Sequence, residues 1–281
     1  RNARHTLRNT MLGIQLLVCL VFLAGSVAFS LFIGLIKEQM NIPDNDEHYA
    51  ECILIRPLTL QNGLALAEYL QTNTENIKRY IKDINFLTTF YEFEETPGAI
   101  DALDSEYFNT HFLADTAFLD FWQRPIKWFV PEEQRKECIL LTEKLYGTLD
   151  SLGIIKNGSL TISHWGRIPP LPIGGTFATM PYRNDNNAWE VVALYELGNN
   201  ISADYIIEPE EGKYHEAMEQ MKEVMHSINP LPVEPTVFNL RKEYTKQLLV
   251  FDNLQRGAWI LSAICFIVCF MGIWSTIALD T

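Results

Sequence analysis

Two stretches of this chain carry no charge at all. One runs from Met11 to Ile36, "MLGIQLLVCLVFLAGSVAFSLFIGLI", and the other from Ala258 to Leu279, "AWILSAICFIVCFMGIWSTIAL". About 20 apolar residues cross the hydrocarbon core of a bilayer as a helix. Both stretches exceed that length, and neither shows the polar face a soluble core helix would keep. Two membrane helices are therefore expected, at 11–36 and 258–279. The alternative for the first is a secretory signal, because Arg1, Arg4 and Arg8 precede it and small residues lie near Ala24–Ala28. A signal's apolar region is usually about 7–15 residues, however, and this run is much longer.

Charge sets the expected orientation. Residues 1–10 carry Arg1, Arg4 and Arg8 and no acid. Positive residues stay on the cytoplasmic side, so the N-terminus is expected inside and residues 37–256 outside. That middle region holds 34 of the 35 acids and 19 of the 22 basic residues, a balance of −15. Such a surface argues against nucleic acid, which needs a cationic face. It suits a soluble, compartment-exposed domain.

Strand and helix patterns alternate through the middle region. "CILIRP" reads as a strand closed by Pro57. Leu64–Asp83 reads as a helix, and "INFLTTFYEFEE" (Ile84–Glu95) as a strand. Pro43 and the neighbouring acids end the extension of the first apolar helix. A strand near Tyr107–Leu113 and a short helix at "DTAFLDFW" follow. In "KECILLTEKLYGTLDSLG" a strand passes at Thr142–Glu143 into a helix. "SLTISHW", "AWEVVALYEL", "ADYIIEP" and "VEPTVFNL" read as strands. Gly166–Asn187, full of Pro and Gly, reads as irregular, with "IGGTF" a turn or a point of close backbone approach. The stretch with Tyr214, Met218, Met221 and Met225 on one face reads as a helix with methionine core filler. The expected fold is α+β with a mixed sheet in a domain at 37–239. Leu240, Tyr244, Leu248, Phe251 and Leu254 then recur every three or four residues as far as the second apolar run. They mark the seam of a stalk at 240–257, part of one helix from Leu240 to Leu279 about 60 Å long. A helix broken at Gly257 is the other reading.

Little points to chemistry. The six histidines are scattered, and "HEAME" at His215 has Glu219 where a zinc helix needs its second histidine. The sequence has no P-loop, no G-x-S-x-G and no C-x-x-C. No catalytic residue, cofactor or metal site is expected. Neither apolar run holds an ionisable acid or base, which gives no support to an ion path. Cys265 and Cys269 share a helix face and read as packing. Cys52 and Cys138 lie in the outer region, where oxidising conditions permit a bond. Two readings stand for them: buried free thiols or a Cys52–Cys138 disulfide.

Several stretches resemble the FtsX/MacB-like ABC transporter permeases. These are "LRNTMLGIQLLVCLVFL", with Gln15 early in the helix, the aromatic pair of "DTAFLDFW", and "CILLTEKLYGTL", with Thr142-Glu143 where the family carries Asn-Glu. "YEFEETPG", "DYIIEPEEGKYHEAMEQMKEVMHSINP" and "GIWSTIALDT" complete the match. Gly166–Asn187 departs from the family pattern. The resemblance implies one permease half: a first membrane helix, a MacB-like periplasmic core domain and a second membrane helix with a stalk. It implies a bacterial inner-membrane protein without enzymatic activity. Its partners would be a separate cytoplasmic ATP-binding subunit, a second permease half or protomer, the bilayer, and a periplasmic protein or substrate. Gln15 suits the second half of a double-length permease. Residues 280–281 would open a cytoplasmic segment cut short here. The rival readings are a two-span membrane sensor and a membrane-anchored enzyme.

Overall fold

A computed structural model of the chain describes residues 2–39, 46–73, 75–90, 98, 103, 107–163, 169–181, 189–195, 197, 201–229 and 236–280. The chain divides into two compact units, residues 1–40 with 245–281, and residues 41–244.

The first unit is a pair of helices. Helix α1 spans Asn2–Gln39, and the last helix of the chain spans Leu240–Asp280 without a break at Gly257. Their most apolar stretches are Gly13–Ile36 and Leu249–Gly272, so the second begins ahead of Ala258. Leu17, Val21, Leu31, Ile260, Phe266 and Met271 are all more than half exposed on these helices. So continuous an apolar surface is costly in water and suits the hydrocarbon of a bilayer. The inner seam is small and polar instead. Ser26 and Ser262 share a hydrogen bond of 2.7 Å, and Trp259 Nε1 donates to Ser30 Oγ at 2.9 Å. Cys269 Sγ donates to the Gln15 carbonyl at 3.1 Å, and Gly272 faces the Gln15 amide. Between helices in lipid, small residues and such bonds do the work that burial does in water.

The second unit is an 11-stranded mixed sheet with helices on both faces. In chain order its elements are α2 (Asp46–Ala50), β1 (Ile53–Ile55), α3 (Leu60–Thr72), β2 (Ile77–Phe90), β3 (Phe108–Leu113) and α4 (Ala117–Phe121). Then come β4 (Ile126–Trp128), β5 (Cys138–Thr142), α5 (Glu143–Ser151), β6 (Ser159–Leu160), β7 (Ile162–Ser163) and β8 (Leu171–Phe177). The last are β9 (Glu190–Leu194), β10 (Asp204–Pro209), α6 (Tyr214–Ile228) and β11 (Val237–Asn239), which leads into α7 (Leu240–Asp280). The strand order is β11-β1-β10-β2-β3-β9-β5-β8-β4, with β6 on β8 and β7 on β2. The β3–β9 and β5–β8 pairs are parallel and the others antiparallel.

Alternation along the strands fills two cores. Ile53, Ile55, Ile139, Leu141, Val191 and Ile207 face one side, against Leu66 and Leu70 of α3, Leu145 and Leu149 of α5 and the α6 methionines. Leu54, Leu140, Val192 and Ile206 face the other, with Tyr49, Phe118, Phe121, Trp122 and Leu240. Every central strand is thus apolar on both faces, as a sheet covered on two sides requires.

Two sequence expectations are corrected. The helix expected over Leu64–Asp83 ends at Thr72, and Ile77–Asp83 belongs to β2. Asn76, in a left-handed conformation at φ 62°, turns the chain between them. Ile77, Tyr80 and Ile81 mimic helical spacing because of a β-bulge: the register with β10 slips at Glu208/Pro209. The slip turns Ile77 to the first core and Ile81 to the second. The second correction is β8, a buried strand where an irregular segment is expected. A Cβ at Gly174 would lie 2.4 Å from Cys138 Sγ, and one at Gly175 would lie 2.6 Å from the Lys127 carbonyl. The glycines mark close approach inside a sheet, and no turn. Pro172 sits near the strand's start, which Pro tolerates. Tyr91–Glu95 and the Pro43 cluster lie outside the described residues, as do residues 182–188.

Candidate functional site

The residues that join β11 to α7 combine a polar cluster with aromatic side chains of the second core. Asn239 ends β11 and caps α7: Lys242 N–H donates to its side-chain oxygen at 2.9 Å. Its amide nitrogen donates to the Ala50 carbonyl at 2.6 Å and to the Tyr214 hydroxyl at 2.9 Å. The backbone N–H of Leu240 donates to the Cys52 carbonyl at 3.0 Å, and the Leu240 side chain is fully buried. One asparagine thereby ties the helix root to α2 and α6.

An aromatic socket holds the next turn. Trp122 lies tilted against Tyr49 at 4.8 Å, and meets Phe121 edge-on at 4.9 Å and Tyr244 of α7 edge-on at 5.6 Å. Tyr49 and Phe121 come from α2 and α4, so the socket closes only when both short helices are in place.

A row of charges crosses the sheet on the same face. Arg56, just after β1, donates to Glu243 of α7 at 2.6 Å and to Asp204 of β10 at 3.1 Å. Asp204 stands directly opposite Asp83 of β2. Asp83 in turn bonds His111 Nδ1 of β3 at 2.9 Å, beneath the Phe118 ring. Four neighbouring strands thus carry Arg56, Asp204, Asp83 and His111 in line, and α7 joins the end through Glu243. Burial pushes the Asp204 carboxyl above its ordinary value, with Asp83 and Glu243 adding and Arg56 opposing. Like charges directly opposite each other are unfavourable, and the Arg56 guanidinium and the His111 hydrogen bond offset that.

A second cluster lies where β2 begins. Glu208 is almost fully buried and accepts from Lys78 at 2.6 Å and from Arg79. Burial works against its charge, but those bonds outweigh burial and hold the carboxyl below its ordinary range. Arg79 also lies over the Phe121 ring at 5.6 Å, which links this cluster to the socket.

The residues singled out from sequence are only partly brought together. Leu240 and Tyr244 enter the socket, Phe251 is half-buried, Leu254 is exposed, and the Leu248 side chain lies outside the described residues. Cys52 and Cys138 are free thiols. Cys52 immediately precedes β1 and Cys138 opens β5, five strand spacings or about 24 Å of sheet away, far beyond the roughly 7 Å limit for a bond. The disulfide reading is corrected accordingly. Burial pushes the Cys52 thiol up to about 12 and the Cys138 thiol up to about 11. Such thiols are inert as nucleophiles. Among the described residues no group of three His, Cys, Asp or Glu could hold a metal ion. Arg56, Asp204 and Asn239 escaped sequence reasoning because their partners are set by strand register. Asn239 before an apolar-periodic run was the one readable signal, as a helix cap.

No family model and no curated protein matches the chain. Among solved structures it is similar to the periplasmic region of MacB from Actinobacillus actinomycetemcomitans, at 10% identity and a TM-score of 0.41, over 66% of this chain and 86% of that one. It is also similar to a domain assigned to a permease from Porphyromonas gingivalis, at 14% identity and a TM-score of 0.37, over 67% of this chain and 94% of that one.

Proposed function

We propose that the chain is a permease half of the FtsX/MacB type, which couples a cytoplasmic ATPase to movement of an outer domain. The observation that carries this reading is α7. Its root is fixed by Asn239, Arg56 and Trp122, and the same unbroken helix continues through Gly257 into a span apolar enough to cross a bilayer. A helix fixed at one end and continuous along its length transmits displacement, whereas a flexible linker would absorb it. The polar seam of the helix pair supports a paired hairpin. The orientation follows from Arg1, Arg4 and Arg8, with the N-terminus in the cytoplasm of a bacterial inner membrane. The residues from Leu240 to the start of the span form the stalk, and Leu254 and its exposed neighbours face a second protomer or permease half.

The test uses the protein expressed from its whole gene, reconstituted in nanodiscs with the ATPase encoded beside it. Association, and an ATPase rate that changes severalfold on assembly, are expected. Inserting Gly-Pro after Arg256 should abolish the rate change and leave association intact. Failure of the two proteins to associate, with an ATPase rate indifferent to the chain, overturns the reading.

A further inference from the structure

Strand β2 is flanked unequally along its length. On one side β10 accompanies it from Ile77 to Asp83. On the other, β3 pairs only with Ile84–Thr88, and β7 only with Thr89 and Phe90. From Ile77 to Asp83 that second edge carries no strand among the described residues. The gap has a topological cause. The chain leaves β3 at Leu113 and turns through Ala114–Thr116 into α4 on one face of the sheet. Leu194, level with Leu113, ends β9, and the chain then leads to β10 beyond β2. Neither segment continues the row of β3.

What remains is a notch of about 350 Å³ whose walls include Tyr80, Lys82, Phe112, Asp115, Phe118 and Tyr195. Its chemistry is specific. One wall is strand edge, where alternate residues present N–H and C=O groups. Phe112 and Phe118 are buried side chains that reach the notch from both cores. Asp115 already accepts from Ala117 N–H at 2.8 Å, whereas Lys82 has no ion pair among the described residues. In register, Leu113 stands opposite Asp83, so about three more residues at roughly 3.3 Å each would carry the row to Tyr80.

We infer that this notch receives an extended peptide segment of a partner protein, about three residues long, as an added strand on β2. Its backbone pairs with the edge at Tyr80–Lys82. One apolar or aromatic side chain seats against Phe112, on the face that Lys82 shares, and a carboxylate meets Lys82. Main-chain bonds give strand addition its affinity and side-chain pockets give it selectivity. The inference does not depend on the permease reading, because it rests on the sheet of the second unit alone.

The test is selection from a displayed library of random heptapeptides on the full protein in nanodiscs, with subtraction on Ala117→Trp, which fills the notch mouth. Enriched sequences should combine an aromatic or large apolar residue with an acid two positions away. The best one, synthesised, should lose at least tenfold in affinity on Lys82→Glu, a half-exposed position where folding is not at stake. N-methylation should weaken it at alternate amides only, because a strand turns every second N–H to its neighbour. No peptide enriched over the filled notch, binding indifferent to Lys82→Glu, or equal effects of N-methylation at successive positions would each overturn the inference.

Discussion

Replacing Asn239 by alanine removes three contacts from the root of α7. The cap to Lys242 N–H is worth about 1 kcal/mol. The bonds to the Ala50 carbonyl and the Tyr214 hydroxyl contribute roughly 1 kcal/mol each, net of what water would replace. The site is half-buried, so water recovers part of the loss, and about 2–3 kcal/mol is expected. Aspartate separates the contributions. It keeps a cap acceptor and adds a negative charge at a helix N-terminus, but it has no donor for Ala50 or Tyr214. Asn239→Asp should therefore recover about 1 kcal/mol of the deficit. Hydrogen exchange of the Leu240–Thr245 amides, in the full protein in nanodiscs, reads the local opening equilibrium. At about 1.4 kcal/mol per decade, alanine should speed exchange roughly 30- to 150-fold and aspartate several times less. An alanine effect below threefold would refute the reasoning, and so would identical behaviour of the two variants.

Gly174→Ala should destabilise the second unit by about 1–3 kcal/mol in denaturant melts, because its methyl would collide with Cys138 Sγ. Cys138→Ala should restore most of that loss in the double variant, and strict additivity would be the contrary result. Alkylation of Cys52 and Cys138 by iodoacetamide at pH 8 should be undetectable until denaturant is added, since their thiols lie near 12 and 11. Glu208 should make stability pH-dependent. Its folded carboxyl lies below the ordinary value, so its contribution is complete above about pH 4.5 and is lost as pH falls through the lowered value. Glu208→Gln should lower the melting temperature at pH 7 and flatten the acid limb of its pH dependence. Ser262→Val should weaken the helix pair by about 0.6 kcal/mol, read by unfolding in lipid, and no more than that if the other seam contacts hold.

Patterns of one element at a time were legible in the sequence. The apolar runs, the α6 methionines, the Cys138–Thr142 strand with its following helix, and the continuity of α7 all follow from local periodicity. Two kinds of information were hidden. One is compensation between distant residues: β8 reads as a loop because Gly174 and Gly175 look like breakers, and only the presence of Cys138 and Lys127 shows why they are there. The other is register. Ile77 and Ile81 share a helical interval but face opposite cores, and nothing short of the bulge against Pro209 reveals it. The charge row beside the socket was illegible for the same reason. Arg56, Asp204, Asp83 and His111 are spread across the sequence and meet only because their strands align.

The contacts of Asn239 have a consequence beyond α7. Its bond to Ala50, and that of Leu240 to Cys52, bring together the places where the chain enters and leaves the sheet. The whole of β1 to β11 is therefore a closed loop, sealed at its neck by these two hydrogen bonds and the β1–β11 ladder. A segment with joined ends can be exchanged for another of the same neck width without disturbing the helices on either side. Such a protein can replace the whole cassette while the helix pair stays the same.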